Sequence, residues 1–187
     1  SMILSSLKEE NVRKRTIISS FNYKKYNRIV LLTNAIVIFV MWILYVILSV
    51  ILFKDFMISS NGLAYIANSF AFAICSLTIG FLIGNITQNK NAIGGIVNVV
   101  ALGSSFLCGC FVPFEYMPEY AIKIAHIFPT YYFVLNNESI KTIEIFNFEN
   151  IKGLLINGGI IIAYSLAFIV LTNYITKKIN FKEEKML

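Results

Sequence analysis

The chain has 187 residues, of which 57% are hydrophobic and 14% charged, with a mean hydropathy of +0.72. Soluble domains carry roughly 25% charged residues, so this composition excludes an ordinary soluble fold. The formal charge of +6 calls for no nucleic acid, because the basic residues gather beside apolar runs, where they set membrane orientation and meet anionic lipid headgroups.

Residues 1–28 are polar and basic, with Lys8, Arg13, Lys14, Arg15, Lys24, Lys25 and Arg28 outnumbering Glu9 and Glu10. Apolar residues recur among them at Ile3, Leu4 and Leu7, then at Ile17, Ile18 and Phe21. That pattern predicts amphipathic helix at a membrane surface, without the apolar core and cleavage site of a signal peptide.

Four apolar runs follow, at residues 29–53, 63–87, 92–112 and 153–176. Each is about as long as the roughly 20 helical residues needed to cross a 30 Å hydrocarbon core. The runs are continuous rather than alternating, which argues against a β-barrel. The expected fold is all-α: a polytopic helical membrane protein with four transmembrane helices. Residues 59–62, Ser-Ser-Asn-Gly, read as a tight turn. Gly80 and Gly84 stand four apart, a small-residue face that permits close helix approach.

The runs contain no Asp, Glu, Lys, Arg or His. Proton relays and intramembrane hydrolysis depend on such groups, so an enzyme is not expected and no catalytic residue is assigned. Cys75, Cys108 and Cys110, with the lone His126, make neither a disulfide framework nor a metal site. No GxxxxGK phosphate loop occurs, so this chain is expected to bind no nucleotide cofactor itself. Small and polar residues within the runs, among them Asn34, Asn68, Ser69, Asn98, Asn157 and Ser165, can line a pathway or join helices. Interhelical hydrogen bonding is the favoured role.

Residues 105–135 break the rhythm. They hold all three prolines, Pro113, Pro118 and Pro129, and each removes a backbone donor. Pro118 can open a helix and Pro129 can close it. Between them Glu119, Lys123 and His126 share one face, with Glu119 and Lys123 spaced for an i,i+4 pair. Tyr120, Ile124, Ile127 and Phe128 take the other side. The expectation is an outer re-entrant or interfacial segment over 113–135, then a polar stretch to Lys152.

With four spans both termini share a side. That side holds the seven N-terminal basic residues, Lys90, and Lys177, Lys178, Lys182 and Lys185, which is most of the chain's sixteen. By the positive-inside rule both termini are cytoplasmic, and the proline-broken segment faces outward.

The run Gly109-Cys110-Phe111-Val112-Pro113-Phe114-Glu115-Tyr116-Met117-Pro118, followed by Pro129-Thr130-Tyr131-Tyr132, resembles the signature near the C-terminus of type-2 ABC exporter permeases. In that family a glycine, an aromatic and a proline end the fifth membrane helix, and a second proline starts an outer re-entrant helix. The stretch from Glu9 and Glu10 through Arg13, Arg15 and Ser19 looks like the family's cytoplasmic coupling region. Members usually have six spans, so the first two are expected to be missing here. The resemblance implies a plasma-membrane permease subunit that pairs with a second permease subunit in the bilayer and with a separate ABC ATPase that binds ATP. Gly109, Phe111, Pro113, Pro118 and Pro129 would form the outer gate motif. Family substrates range over drugs, peptides, lipids, polysaccharides and sodium. A non-transport membrane protein acting by binding, such as an immunity or assembly factor, is the alternative.

Overall fold

The computed structural model describes residues 23–87 and 89–184. These form helices α1 (Tyr23–Phe53), α2 (Asp55–Ile58), α3 (Ser60–Ile86), α4 (Lys90–Leu107), α5 (Glu119–Ala125), α6 (Pro129–Thr142) and α7 (Phe148–Glu184), with a 3-10 turn at Phe114–Tyr116. No strand occurs among the described residues. Three stretches are long and apolar enough to cross a membrane: Arg28–Phe53, Ser60–Ile86 and Phe148–Lys178. The run expected over 92–112 is helical only to Leu107, and α4 has 18 residues, about 27 Å at 1.5 Å per residue.

Side-chain caps set several boundaries. Ser59 accepts from the Gly62 amide at 3.3 Å and starts α3. Asn89 accepts from the Asn91 and Ala92 amides and starts α4. The Asn147 carboxamide accepts from the Asn150 amide at 2.9 Å, ahead of Phe148. Each satisfies a backbone donor that a helix start leaves free. Residues 59–62, expected to be a turn, are therefore the N-terminus of α3. The reversal is made instead by Lys54, with φ of 39°, and the single turn of α2.

Helix α1 runs antiparallel to α3. Val30 packs on Phe81 at one end. Twelve residues further on, the Trp42 indole donates to the Ser69 hydroxyl at 3.0 Å and its ring lies 4.9 Å from that of Phe70.

Helix α6 lies within the stretch expected to be broken and then polar. Its mixed sequence, PTYYFVLNNESIKT, hides it from an apolar-run search, yet its polar residues are what bury it. Asn68 of α3 donates to the Asn137 side chain at 2.8 Å and to the Phe133 carbonyl at 3.0 Å. Asn136 donates to the Asn68 side chain at 3.0 Å and to the Leu154 carbonyl at 3.2 Å. Asn157 of α7 donates to Asn136 at 2.9 Å. Near the end of α6, Asn61 donates to the Ile140 and Ile143 carbonyls and Tyr65 to the Asn137 carbonyl. Asn68, Ser69 and Asn157 thus serve as interhelical partners. Asn34 and Ser165 bond back to carbonyls four residues earlier in their own helices.

These pairs also fix direction. Phe72 stacks on Phe133 at 4.5 Å, Asn68 meets Asn137, and Asn61 meets Ile143, so α6 is antiparallel to α3. Pro129, one turn before Phe133, therefore begins about level with Ser76, beside the middle of α3.

Close approach to α3 occurs at Gly62, where an added Cβ would strike the Met57 backbone. Gly80 has nothing within 4 Å of that position, whereas Gly84 is buried. Gly62→Ala should lower the melting temperature of the detergent-solubilised protein. Gly80→Ala should leave it unchanged or raise it, because alanine is better than glycine in a helix by roughly 0.5–1 kcal/mol. Interhelical hydrogen bonds in membranes are worth about 0.6 kcal/mol each, with a maximum near 1.7. Asn136→Leu should therefore destabilise by about 1–3 kcal/mol in reversible denaturant titration, and the exposed Asn98→Ala by less than about 0.5. Equal effects of Asn136→Leu and Asn98→Ala would contradict the network's role.

Candidate functional site: the proline-broken element

The end of α4 is built by glycine. Gly109 has φ of +85°, and the Cys110 amide reaches back to the Ser105 carbonyl at 3.1 Å. This six-residue closure with glycine at C′ is a Schellman motif, which answers the last helical carbonyls. A Cβ at Gly109 would also lie 2.8 Å from the Phe114 ring. Conformation and space both demand glycine there.

The ring that needs this space belongs to a small core. Cys108 and Ala125 are fully buried and Tyr131 nearly so, with Leu107, Phe114, Ile122 and Phe128 around them. The Phe114 and Tyr131 rings meet edge-on at 5.2 Å. This cluster joins the end of α4 to α5 and to the start of α6.

The sequence-predicted motif residues divide. Gly109 and Pro129 are part of this packing: Pro129 is buried at the first position of α6, where its missing amide costs nothing. It opens α6, while α5 ends earlier, at Ala125 with His126 as cap. Pro113 and Pro118 are exposed and precede the 3-10 turn and α5. Phe111 turns away from the cluster and stacks on Phe106 at 4.7 Å, exposed. Glu9, Glu10, Arg13, Arg15 and Ser19 lie outside the described residues.

Helix α5 shows the expected Glu119–Lys123 pair, at 2.9 Å on an exposed face. His126 uses its ring nitrogen on the Ile122 carbonyl at 2.7 Å and stacks 4.1 Å from Tyr131. The buried side of α5 is Ala121 and Ala125, while Tyr120, Ile124 and Ile127 are exposed. Small residues let the helix sit against Cys108, which simple apolar patterning does not reveal. Tyr164 of α7 closes the element by donating to the Ile127 carbonyl at 2.9 Å.

Among the described residues, no three His, Cys, Asp or Glu side chains converge on a metal-sized space. Cys75, Cys108 and Cys110 are free thiols. What the element offers is shape: a helix that stops, a reversal, and a new helix starting beside the middle of α3.

A family model described as ABC-2 type transporter matches residues 2–135. No curated protein and no solved structure gives a match. The match covers most of the chain, including α1, α3, α4 and the proline-broken element. With its long apolar helices, the chain is a multi-pass membrane protein and belongs to the ABC-2 type transporter family, as a membrane permease of an ABC transporter.

Proposed function

We propose that the chain is the pathway-forming subunit of an ATP-driven exporter whose ATPase is a separate polypeptide. We propose further that residues 113–135, with Gly109 ahead of them, are the re-entrant gate on its outer side. The observation that carries this reading is the stagger of α6. Helix α4 stops after 18 residues, and α6 restarts beside the middle of α3. We read α4 and α6 as two helices that share one crossing. Broken backbone at membrane depth is tolerated where it is buried in protein or lines a water-filled cavity. The Gly109 closure and the Tyr164 bond to Ile127 satisfy part of the broken backbone. The exposed Glu119–Lys123 pair and Glu115 require the water-filled side, because charges in hydrocarbon are costly.

Counting α4 and α6 as one crossing keeps the topology in which both ends of the chain are cytoplasmic and the α6–α7 connection is outside. The basic N-terminal residues then face the compartment that holds ATP, and the coupling role falls to Glu9, Glu10, Arg13, Arg15 and Ser19. Membership of a permease family disfavours an immunity or assembly factor. A second permease subunit would complete the pathway.

Two experiments test the reading. An ABC ATPase should co-purify with the protein, and Arg13→Glu with Arg15→Glu should abolish that recovery while the protein still reaches the membrane. Failure to recover any ATPase under all nucleotide conditions refutes the coupling. At the gate, Gly109→Ala should reduce export most and Pro113→Ala less. His126→Ala should change it least, because its bonds are to its own helix and a neighbouring ring. Export equal to wild type in both Gly109→Ala and Pro113→Ala would remove the gate.

A further inference from the structure

A groove of about 520 Å³ lies between α1, α3 and α6, away from the proline-broken cluster. Its inner end is formed by Ile38, Ala73 and Ser76, and its outer end by Ser49, Met57 and Tyr65. Trp42 and Phe133 form its walls, and no charged residue lines it. Met41 and Tyr45 on its rim are exposed, so it opens sideways rather than into the protein.

We propose that this groove seats one acyl chain of a phospholipid from the outer leaflet, as a resident lipid rather than as transported substrate. Three features select this occupant. The first is length. Ile38 and Ser49 are separated by about 16 Å along α1 at 1.5 Å per residue, and half of a 30 Å hydrocarbon core is about 15 Å. The groove therefore reaches from near the bilayer midplane to one interface. The second is the gradient of polarity. The inner end carries Ile38 and Ala73 with one hydroxyl, Ser76, while the outer end carries the Ser49 hydroxyl, which can donate to an ester carbonyl, together with Tyr65 and Asn137. Tyr45 and Tyr65 stand at the same level, where amphipathic rings favour the interface. The third is charge. Lys141, near Tyr65, is already bound to Glu138, and that hydrogen bond holds its pKa above the ordinary lysine value. No free cation lines the groove to demand an acidic ligand, so a zwitterionic phospholipid suffices.

The wall of the groove is the same surface that fixes α6. Phe72 and Phe133 are stacked, and Asn137 is held by Asn68. A chain seated there would bridge α1, whose contacts with the bundle run through α3, to the gate helix α6. The inference rests on α1 and α3 crossing the bilayer and, for the choice of leaflet, on the proposed topology; it is independent of ATPase coupling.

The test places the protein, in its full natural chain, in phosphatidylcholine nanodiscs. The discs carry a trace of phosphatidylcholine with a diazirine near the end of one acyl chain. After illumination, adducts are mapped by mass spectrometry. Labelling at Ile38, Trp42, Ala73 and Phe133 should exceed that at the exposed Val40 and Ile47, on the opposite side of α1, by about fivefold, the enrichment of a modest binding preference. A diazirine beside the ester should shift adducts to Ser49 and Tyr65. Ala73→Trp should bring groove labelling down to the Val40 level without changing Val40 itself. Uniform labelling around α1 would overturn the proposal, since it signals ordinary solvating lipid. Labelling of the groove below Val40 would also overturn it, since another helix must then cover the site. Both of these outcomes are read from the unmodified protein and do not depend on the variant folding.

Discussion

Three carboxamides hold the bundle together. Asn68, Asn136 and Asn157 come from three different helices, and Asn136 bonds to both of the others. In a bilayer the apolar surfaces of these helices gain little from meeting one another, because lipid tails are equally apolar. Directional bonds and close packing must select the arrangement. Asn136 is 3% exposed, and each of these amides directs its hydrogen bonds to a defined neighbour. The level of α6 against α3 and α7 follows from where these residues sit in sequence.

That level determines where the proline-broken element sits against the bundle. With Asn137 tied to Asn68, the first turn of α6 falls beside the middle of α3, and the chain must return there from the end of α4. Gly109 makes the return possible through its positive φ and the space it leaves for Phe114. The Cys108, Ala125 and Tyr131 core then fills the volume between the two helix ends. Deep anchoring by amides and a backbone reversal by glycine are two parts of one constraint.

Functionally, the molecule separates rigidity from chemistry. Its apolar runs carry no charged side chains, and under the proposed function the energy for transport arrives from a separate ATPase. Helix α5 is held by its alanine face and by rings, and α1 through Trp42 and Val30. The groove joins α1 to α3 and α6, and an acyl chain in it would tie the position of α6 to the surrounding bilayer.

Much of this was legible in the sequence. Unbroken apolar runs force helices, because a backbone in hydrocarbon must satisfy itself, and the ends of α1 and α3 follow from Lys54 and from the polar turn at 88–91. Gly109 beside three prolines announced a broken helix, and Glu119 with Lys123 a short amphipathic one. Helix α6 was not legible, since Asn136, Asn137, Glu138, Ser139 and Lys141 make it look like loop. Its burial depends on partners more than 60 residues away, at Asn68 and Asn61. The same holds for Gly62, whose importance comes from the Met57 backbone folded over it, and for Gly80, whose spacing from Gly84 suggested contact that the packing leaves open. Sequence by itself determined the membrane class, the helical content, the absence of charged chemistry in the spans and the position of the break. Tertiary structure alone decided at which level of α3 the chain restarts and which amides meet, because level and partnership are set by interhelical geometry that no local pattern encodes.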